Sequence, residues 1–273
     1  MNYFPTYVFA LQQEAKPFIE TLNVKQIYQQ KNIKLYKSDE VFVLITGIGC
    51  MASATAVGWF LAQYKNVILW NIGCAASTAN VGSWQRVICV KQDNNIFYPE
   101  IVSKSKLKLN TLNTVNTVIN NSQLKHFNDE LVDMEGIGFA TAALTFINSN
   151  QIQLLKWISD NGNINFYKDK AWINAYVQRI NEVIELINQE SNLISKYLND
   201  ININTNAYIE KVNLNLQLSF TQKEQLHKAL VYYLNLNHQD KLIHLLNDFL
   251  TQLNNKLNNK SNFKDLLNKL YCV

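Results

Sequence analysis

The chain has 273 residues, enough to bury a full core in one large domain or two. Its apolar fraction of 48% is that of a globular protein, and a formal net charge of +4 without a dense Lys/Arg cluster excludes a basic nucleic-acid surface. No window has the length and apolarity of a membrane span.

The first residues, "MNYFPTYVFALQQEAKPF", lack a basic segment before the apolar run, so a signal peptide is not expected. Cys50, Cys74, Cys89 and Cys272 form no CxxC pair and have no His at metal-ligand spacing. They are expected to be free thiols packing as small hydrophobes in a reducing, cytoplasmic compartment, with no bound metal.

In chain order, Tyr7–Leu11, Val41–Ile45, Val67–Asn71, Val87–Val90 and Leu154–Ile158 read as strands, several of them apolar on both faces. Gln13–Leu22 and Ala52–Tyr64 carry helical patterns between them. The alternation predicts an α/β layering, with helices flanking a central mixed or largely parallel sheet. After Asp160 the pattern becomes helical. Ala171–Gln189 places Ile173, Tyr176, Val177, Ile180, Val183, Ile184 and Ile187 at helical spacing. Thr221, with Glu224 three residues on, predicts a capping box, and helices follow over Asp240–Leu253 and Asn262–Tyr271. Asn199–Asn206 ("NDININTN") reads as a connector or a short strand. The expected division is an α/β domain over 1–189 and a helical C-terminal extension over 190–273.

Polar residues fall at the carboxyl ends of three strands, where open α/β sheets build their sites. "YVFALQQEAKPF" runs from a strand into a helix start bearing Glu14, and "LLKWISDNGN" ends in Ser159 and Asp160. "LVDMEGIGFATAALTFI" sets Asp133, Met134 and Glu135 before a helix of small residues. Each has an ordinary alternative: a first-turn carboxylate for Glu14 and Glu135, and an Asn-Gly turn for Asp160. "ITGIGCMASATA" and "WNIGCAASTANVGSWQRVICV" add glycines beside strands where backbone can approach a ligand, without a dinucleotide fingerprint or a phosphate-binding loop.

Taken in order, ALQQE, TGIG, NIGCA, VDME and ISD resemble the purine nucleoside/uridine phosphorylase superfamily. Within it the pattern is most similar to methylthioadenosine/S-adenosylhomocysteine nucleosidases and futalosine hydrolase-like proteins. The resemblance spans Tyr7 to Gln189 and leaves the C-terminal helices uncovered. It implies a nucleoside phosphorylase-like fold, a small-molecule nucleoside ligand, no cofactor and a homodimer.

By the same resemblance, Glu14 helps activate a water nucleophile, and Asp160 with its neighbour Ser159 protonates the departing purine. Met134 packs on the ribose and Glu135 binds its hydroxyls. "TVINNS" (Thr117–Ser122) resembles the strand that holds the base, which assigns Val118 and Ile119 to it. Cys74 and Ala75 fall on the nucleophile side of the pocket, where Cys74-Ala75-Ala76 departs from a Ser/Thr- and Gly-richer family segment. Val118 departs from the family's aromatic residue. Asp133 has no firm assignment.

These residue types suit N-glycosidic cleavage. Negative charge develops on the base and positive charge on the sugar, so one carboxylic acid serves the base and carboxylates serve ribose and water. Phosphorolysis calls for Arg at the phosphate. The early helix offers Lys16 but no Arg, and Arg86 is the only nearby candidate. Water is therefore the expected nucleophile; a phosphorylase, or a weakly catalytic nucleoside-binding or docking protein, are the alternatives.

Overall fold

A computed structural model describes residues 3–104, 106–163, 171–236, 239–253 and 259–271. Among these, ten strands form one sheet: β1 (Phe4–Phe9), β2 (Lys25–Gln30), β3 (Ile33–Lys37), β4 (Phe42–Ile45), β5 (Val67–Ala76), β6 (Trp84–Gln92), β7 (Asn95–Phe97), β8 (Lys108–Thr114), β9 (Leu131–Asp133) and β10 (Ile152–Asp160). The helices are α1 (Gln12–Thr21), α2 (Cys50–Gln63), α3 (Asn121–Leu124), α4 (Gly136–Leu144), α5 (Ala171–Gln178), α6 (Ile180–Leu216), α7 (Phe220–Leu236), α8 (Gln239–Leu253) and α9 (Asn259–Tyr271).

Strand β1 lies between β4 and β5, parallel to both, and β10 runs parallel to β5 on its other side. β6 is antiparallel to β10 and parallel to β8, β8 is parallel to β9, and β9 meets β5 at Ala76↔Val132. Those five strands close on one another, while β4, β3 and β2 extend the sheet away from β1. The sheet is thus mixed, with helices flanking it, as expected.

The strands legible in the sequence are those buried on both faces: β5 is buried from Val67 through Gly73, and every residue of β10 is buried. Strands β2, β3, β8 and β9 are not legible. β2 and β3 are a polar edge hairpin turning at Lys31, whose φ is 49°, and β8 ("KLNTLNT") is rich in Asn, a poor strand former. Helices α2 and α4 are built of small residues because they pack closely. A Cβ at Gly138 would stand 2.2 Å from the Cys50 carbonyl oxygen.

The chain divides into two units, Met1–Ser195 and Lys196–Val273, with α6 beginning in the first and continuing in the second. In the second, Val212, Leu226, Leu230, Leu242, Leu266 and Leu270 centre an apolar core of its own. Two expectations are corrected here. Asn199–Asn206 is not a connector but lies inside α6. Ile194, Leu198, Thr205, Ile209, Val212 and Leu216 are buried at three-, four- and seven-residue spacings, and that helical stripe overrides the poor propensity of Asn. The cap of α7 is Ser219 with Gln222, not Thr221 with Glu224. The Ser219 N–H donates to Gln222 Oε1 at 2.9 Å, and the Gln222 N–H to Ser219 Oγ at 3.3 Å. Cys50, Cys74 and Cys89 are free thiols, and Cys272 lies outside the described residues. No described helix is long and apolar enough to cross a membrane.

Candidate active site at the strand ends

Glu14 sits one turn into α1, just beyond the carboxyl end of β1. Its carboxylate is turned inward and buried, with Oε1 accepting the Cys74 N–H at 2.8 Å and Oε2 accepting the Leu11 N–H at 3.2 Å. Gly73 makes room for it, since a Cβ there would stand 3.2 Å from both carboxylate oxygens. Behind α1, the Tyr176 hydroxyl donates to the Glu14 carbonyl at 3.2 Å, within an aromatic cluster that includes Phe18, Trp84, Trp157 and Trp172. Burial raises the Glu14 carboxyl above its ordinary range, opposed by the Cys74 N–H and by Lys156. The same burial, with Glu14 alongside, raises the Cys74 thiol well above its usual value.

Asp133 and Glu135, adjacent in sequence, have separate surroundings. Asp133 faces inward at the end of β9. It accepts the Gly136 N–H at 2.9 Å and the Thr114 hydroxyl at 3.0 Å, and it pairs with Lys156 Nζ at 2.9 Å. Glu135 opens α4 and reaches across to the α2 entry loop, where Oε1 accepts the Gly49 N–H at 2.7 Å. Among the described residues nothing else hydrogen-bonds its second oxygen. Burial first, and Asp133 second, raise the Glu135 carboxyl to about 7.

Lys156 is the residue that the sequence reading missed. It is buried in β10, opposite Gly73 of β5. Burial alone would lower its ammonium, but Asp133 and Glu135 outweigh that and hold it above its ordinary range. The signal was present in "LLKWISD": a lysine inside an otherwise apolar central strand has to be buried, and a buried lysine needs a carboxylate.

Asp160 ends β10, lines the cavity and caps an Asn-Gly turn. Its Oδ1 accepts the Gly162 and Asn163 N–H groups at 2.8 and 3.0 Å, and its Oδ2 accepts the Ser159 hydroxyl at 2.8 Å. Gly162 has a φ of 82°, and a Cβ there would stand 2.6 Å from the Asn121 nitrogen. The Asn121 side chain also donates to the Asn161 carbonyl at 2.8 Å. This seats the turn against the segment carrying Val118 and Ile119. That segment is a loop rather than the expected strand: pairing stops at Thr114, and Asn120 caps α3 through the Gln123 N–H at 3.1 Å. Val118 is 60% exposed in consequence.

All nine residues singled out by sequence, Glu14, Cys74, Ala75, Val118, Ile119, Met134, Glu135, Ser159 and Asp160, line a single cavity. Ala10, Leu11, Ile48, Val115 and Val132 complete much of its apolar wall. Arg86 does not reach it. Its guanidinium is fully buried over the Trp70 ring and pairs with Glu190 at 2.7 Å. Lys16 is exposed and pairs with Glu20 at 3.8 Å. Among the described residues no group of three or more His, Cys, Asp or Glu is disposed to hold a metal ion.

The sheet order, the flanking helices and an acidic cavity at the strand ends define a nucleoside phosphorylase-like α/β fold. Among solved structures, a Helicobacter pylori MTAN mutant with 5'-methylthioadenosine in its active site matches with a TM-score of 0.58 at 13% identity, over 70% of this chain and 100% of that one. The apo 5'-methylthioadenosine nucleosidase of Arabidopsis thaliana matches at 0.57 and 18% identity, over 68% and 96% of the two chains. A futalosine hydrolase mutant of Helicobacter pylori matches at 0.56 and 13% identity, over 69% and 98%. At these identities the likeness establishes the fold. No protein-family model matches the chain, and no curated protein sequence matches it.

Proposed function

We propose that the protein is a nucleosidase that hydrolyses the N-glycosidic bond of a purine-type nucleoside, releasing free base and a ribosyl product. The observation that carries this reading is the convergence of Glu14, Glu135 and Asp160 on one cavity from three separate strand ends. The nucleosidases that share the fold support it.

In the proposed reaction the C1′–N bond breaks as water adds to C1′. Asp160 gives its proton to the purine ring nitrogen that accepts the bonding electrons, with Ser159 and the turn N–H groups holding the carboxyl in place. Glu14 orients the water and takes its proton; a carboxyl raised by burial is the stronger base for that task. Glu135 accepts from ribose hydroxyls through its second oxygen, and Met134 packs against the sugar. Val118 and Ile119 border the base, and Cys74 and Ala75 the water side. Asp133 and Lys156 lie beneath as a neutralising pair.

Hydrolysis is preferred over phosphorolysis because Arg86 is committed to Glu190 and no cation lines the cavity among the described residues. From its cysteine usage we take the protein to act in the cytoplasm, and, as the family resemblance implies, as a homodimer; light scattering on the purified protein reads the second point. The activity is tested with a purine nucleoside panel, with and without phosphate, identifying released bases and sugars by mass spectrometry. Base release independent of phosphate, and lost in Asp160→Asn, is expected; release that strictly requires phosphate would turn the assignment to a phosphorylase.

A further inference from the structure

Asp160 is held by its side chain, by its main chain and by its neighbour. Its carboxylate accepts from Ser159 and from the turn N–H groups, and its carbonyl accepts the Ser77 N–H at 3.1 Å. The neighbour is Asn161, whose half-buried side chain reaches the loop between β5 and β6. There it donates to the Ser77 carbonyl at 2.6 Å and to the Ala79 carbonyl at 3.0 Å. Both acceptors are carbonyl oxygens, so it is the amide nitrogen, with its two N–H donors, that faces them. From the other side the Asn161 carbonyl accepts from the Asn121 side chain at 2.8 Å. Ile119 and Val118, just ahead of Asn121, line the cavity.

The turn by itself does not call for this asparagine. Asparagine suits turns because it tolerates the left-handed region or bonds its own backbone two residues on. In this turn the left-handed residue is Gly162, at a φ of 82°, and Asn161 lies outside that region. Its amide is directed instead to carbonyls 84 and 82 positions away in the chain. Nor does Asn161 line the cavity, so its effect on a reaction there runs through the residue it holds.

We propose that Asn161 is a positioning residue for the reaction: it ties the Asp160 turn to the β5–β6 loop on one side and to the base-side loop on the other, and so fixes the proton donor against the ring nitrogen it serves. This rests on the nucleosidase reading with Asp160 as the donor. Proton transfer needs its two heavy atoms within about 2.6–3.2 Å, and a misplacement of about 1 Å costs on the order of 100-fold in rate. A turn released from the β5–β6 loop keeps the Asp160 carboxyl but loses control of that distance.

A variant cycle on the full chain tests this, with the purine nucleoside that the parent cleaves fastest. Base release gives kcat and KM for the parent, Asn161→Ala, Asp160→Asn and the two substitutions combined. Asn161→Ala is expected to lower kcat by at least about tenfold, with KM within about threefold of the parent. Added to Asp160→Asn, it is expected to lower kcat by less than about threefold more, because the proton it helps to deliver is already missing. A merely structural role would add its full loss in both backgrounds. A loss in Asn161→Ala of less than about tenfold, or a further loss of about threefold or more in the combined variant, overturns the positioning role. If Asn161→Ala does not fold, Asn121→Ala, which removes the base-side tie alone, goes through the same cycle and the same outcomes decide. A parent that releases no base ends the nucleosidase reading, and an Asp160→Asn as active as the parent ends the donor assignment; the positioning role falls with either. Where parent and Asp160→Asn behave as expected and the losses add, the positioning role alone is lost.

Discussion

Lys156 Nζ lies 2.9 Å from Asp133 Oδ2, and both side chains are almost wholly buried, at 2% and 1% exposure. The pair joins the middle of β10 to the end of β9 directly beneath the proposed site. In that setting an unpaired charge is far more costly than no charge at all.

Removing one partner should therefore hurt more than removing both. Lys156→Met alone is expected to cost about 3–5 kcal/mol in denaturant unfolding, because it strands Asp133. Lys156→Met combined with Asp133→Asn should recover a large part of that loss. A double variant whose loss equals the sum of the singles would show that the two do not act as a pair.

Glu135 has a carboxyl raised from an ordinary 4.5 to about 7 by burial and by Asp133. The folded state then holds a proton that the unfolded chain has released, so this group's contribution falls as pH climbs from about 4.5 to 7. Glu135→Gln is expected to be more stable than the parent at pH 8, by up to about 3 kcal/mol. The gap should close as pH is lowered towards 4.5, the value from which the carboxyl is raised. Thermal unfolding across that window checks the sign. The parent's kcat/KM should rise with pH through about 7, as the carboxylate proposed to accept ribose hydroxyls forms.

Asp160→Asn keeps the size of the side chain and removes the group proposed to donate the proton. Base release should fall by about 10²–10⁴ in kcat, with nucleoside affinity within about threefold of the parent. Stopped-time assays alongside calorimetry separate the two. A matching loss of affinity would point to a binding role in place of proton donation.

Gly73, in the middle of β5, leaves space for the Glu14 carboxylate. Its Cβ position stands 3.2 Å from both Glu14 carboxylate oxygens, and its φ is not in the left-handed region, so Gly73→Ala tests contact rather than backbone strain. The carboxylate must shift by a fraction of an ångström, and kcat is expected to fall about tenfold or more while the unfolding free energy changes by less than about 2 kcal/mol. An unchanged kcat would mean that the placement of Glu14 is not critical.

Much of this architecture is legible in the chain itself, and the limits of that legibility have physical causes. Strands covered on both faces must be apolar throughout, so β1, β4, β5, β6 and β10 stand out in sequence, within a few residues at their ends. Strand β2 faces solvent along most of its length, and in β3 Lys34 and Lys37 flank the buried Leu35 and Tyr36, so neither makes an apolar run. The α7 start was placed two residues late because both Ser219 and Thr221 have a partner three residues on; only the backbone shows which hydroxyl meets a free N–H. Asn199–Asn206 reads as a break because Asn is a weak helix former, yet the apolar spacing on either side carries α6 through it.

The sequence by itself determined where carboxylates end apolar strands, because hydrophobic run length and side-chain charge are local properties. It therefore singled out Glu14 and Asp160, while Glu135, after the short and illegible β9, stood out by its place in the ordered motifs of the family it resembles. Only the tertiary structure decided what each carboxylate faces. Asp133 turns to Lys156 while Glu135, two residues on, turns to the Gly49 N–H and the cavity. Arg86, which from sequence was free to meet a phosphate, is spent on Glu190, 104 positions further along the chain. Partnership between distant residues depends on strand order and register, and pattern along the chain carries no record of either.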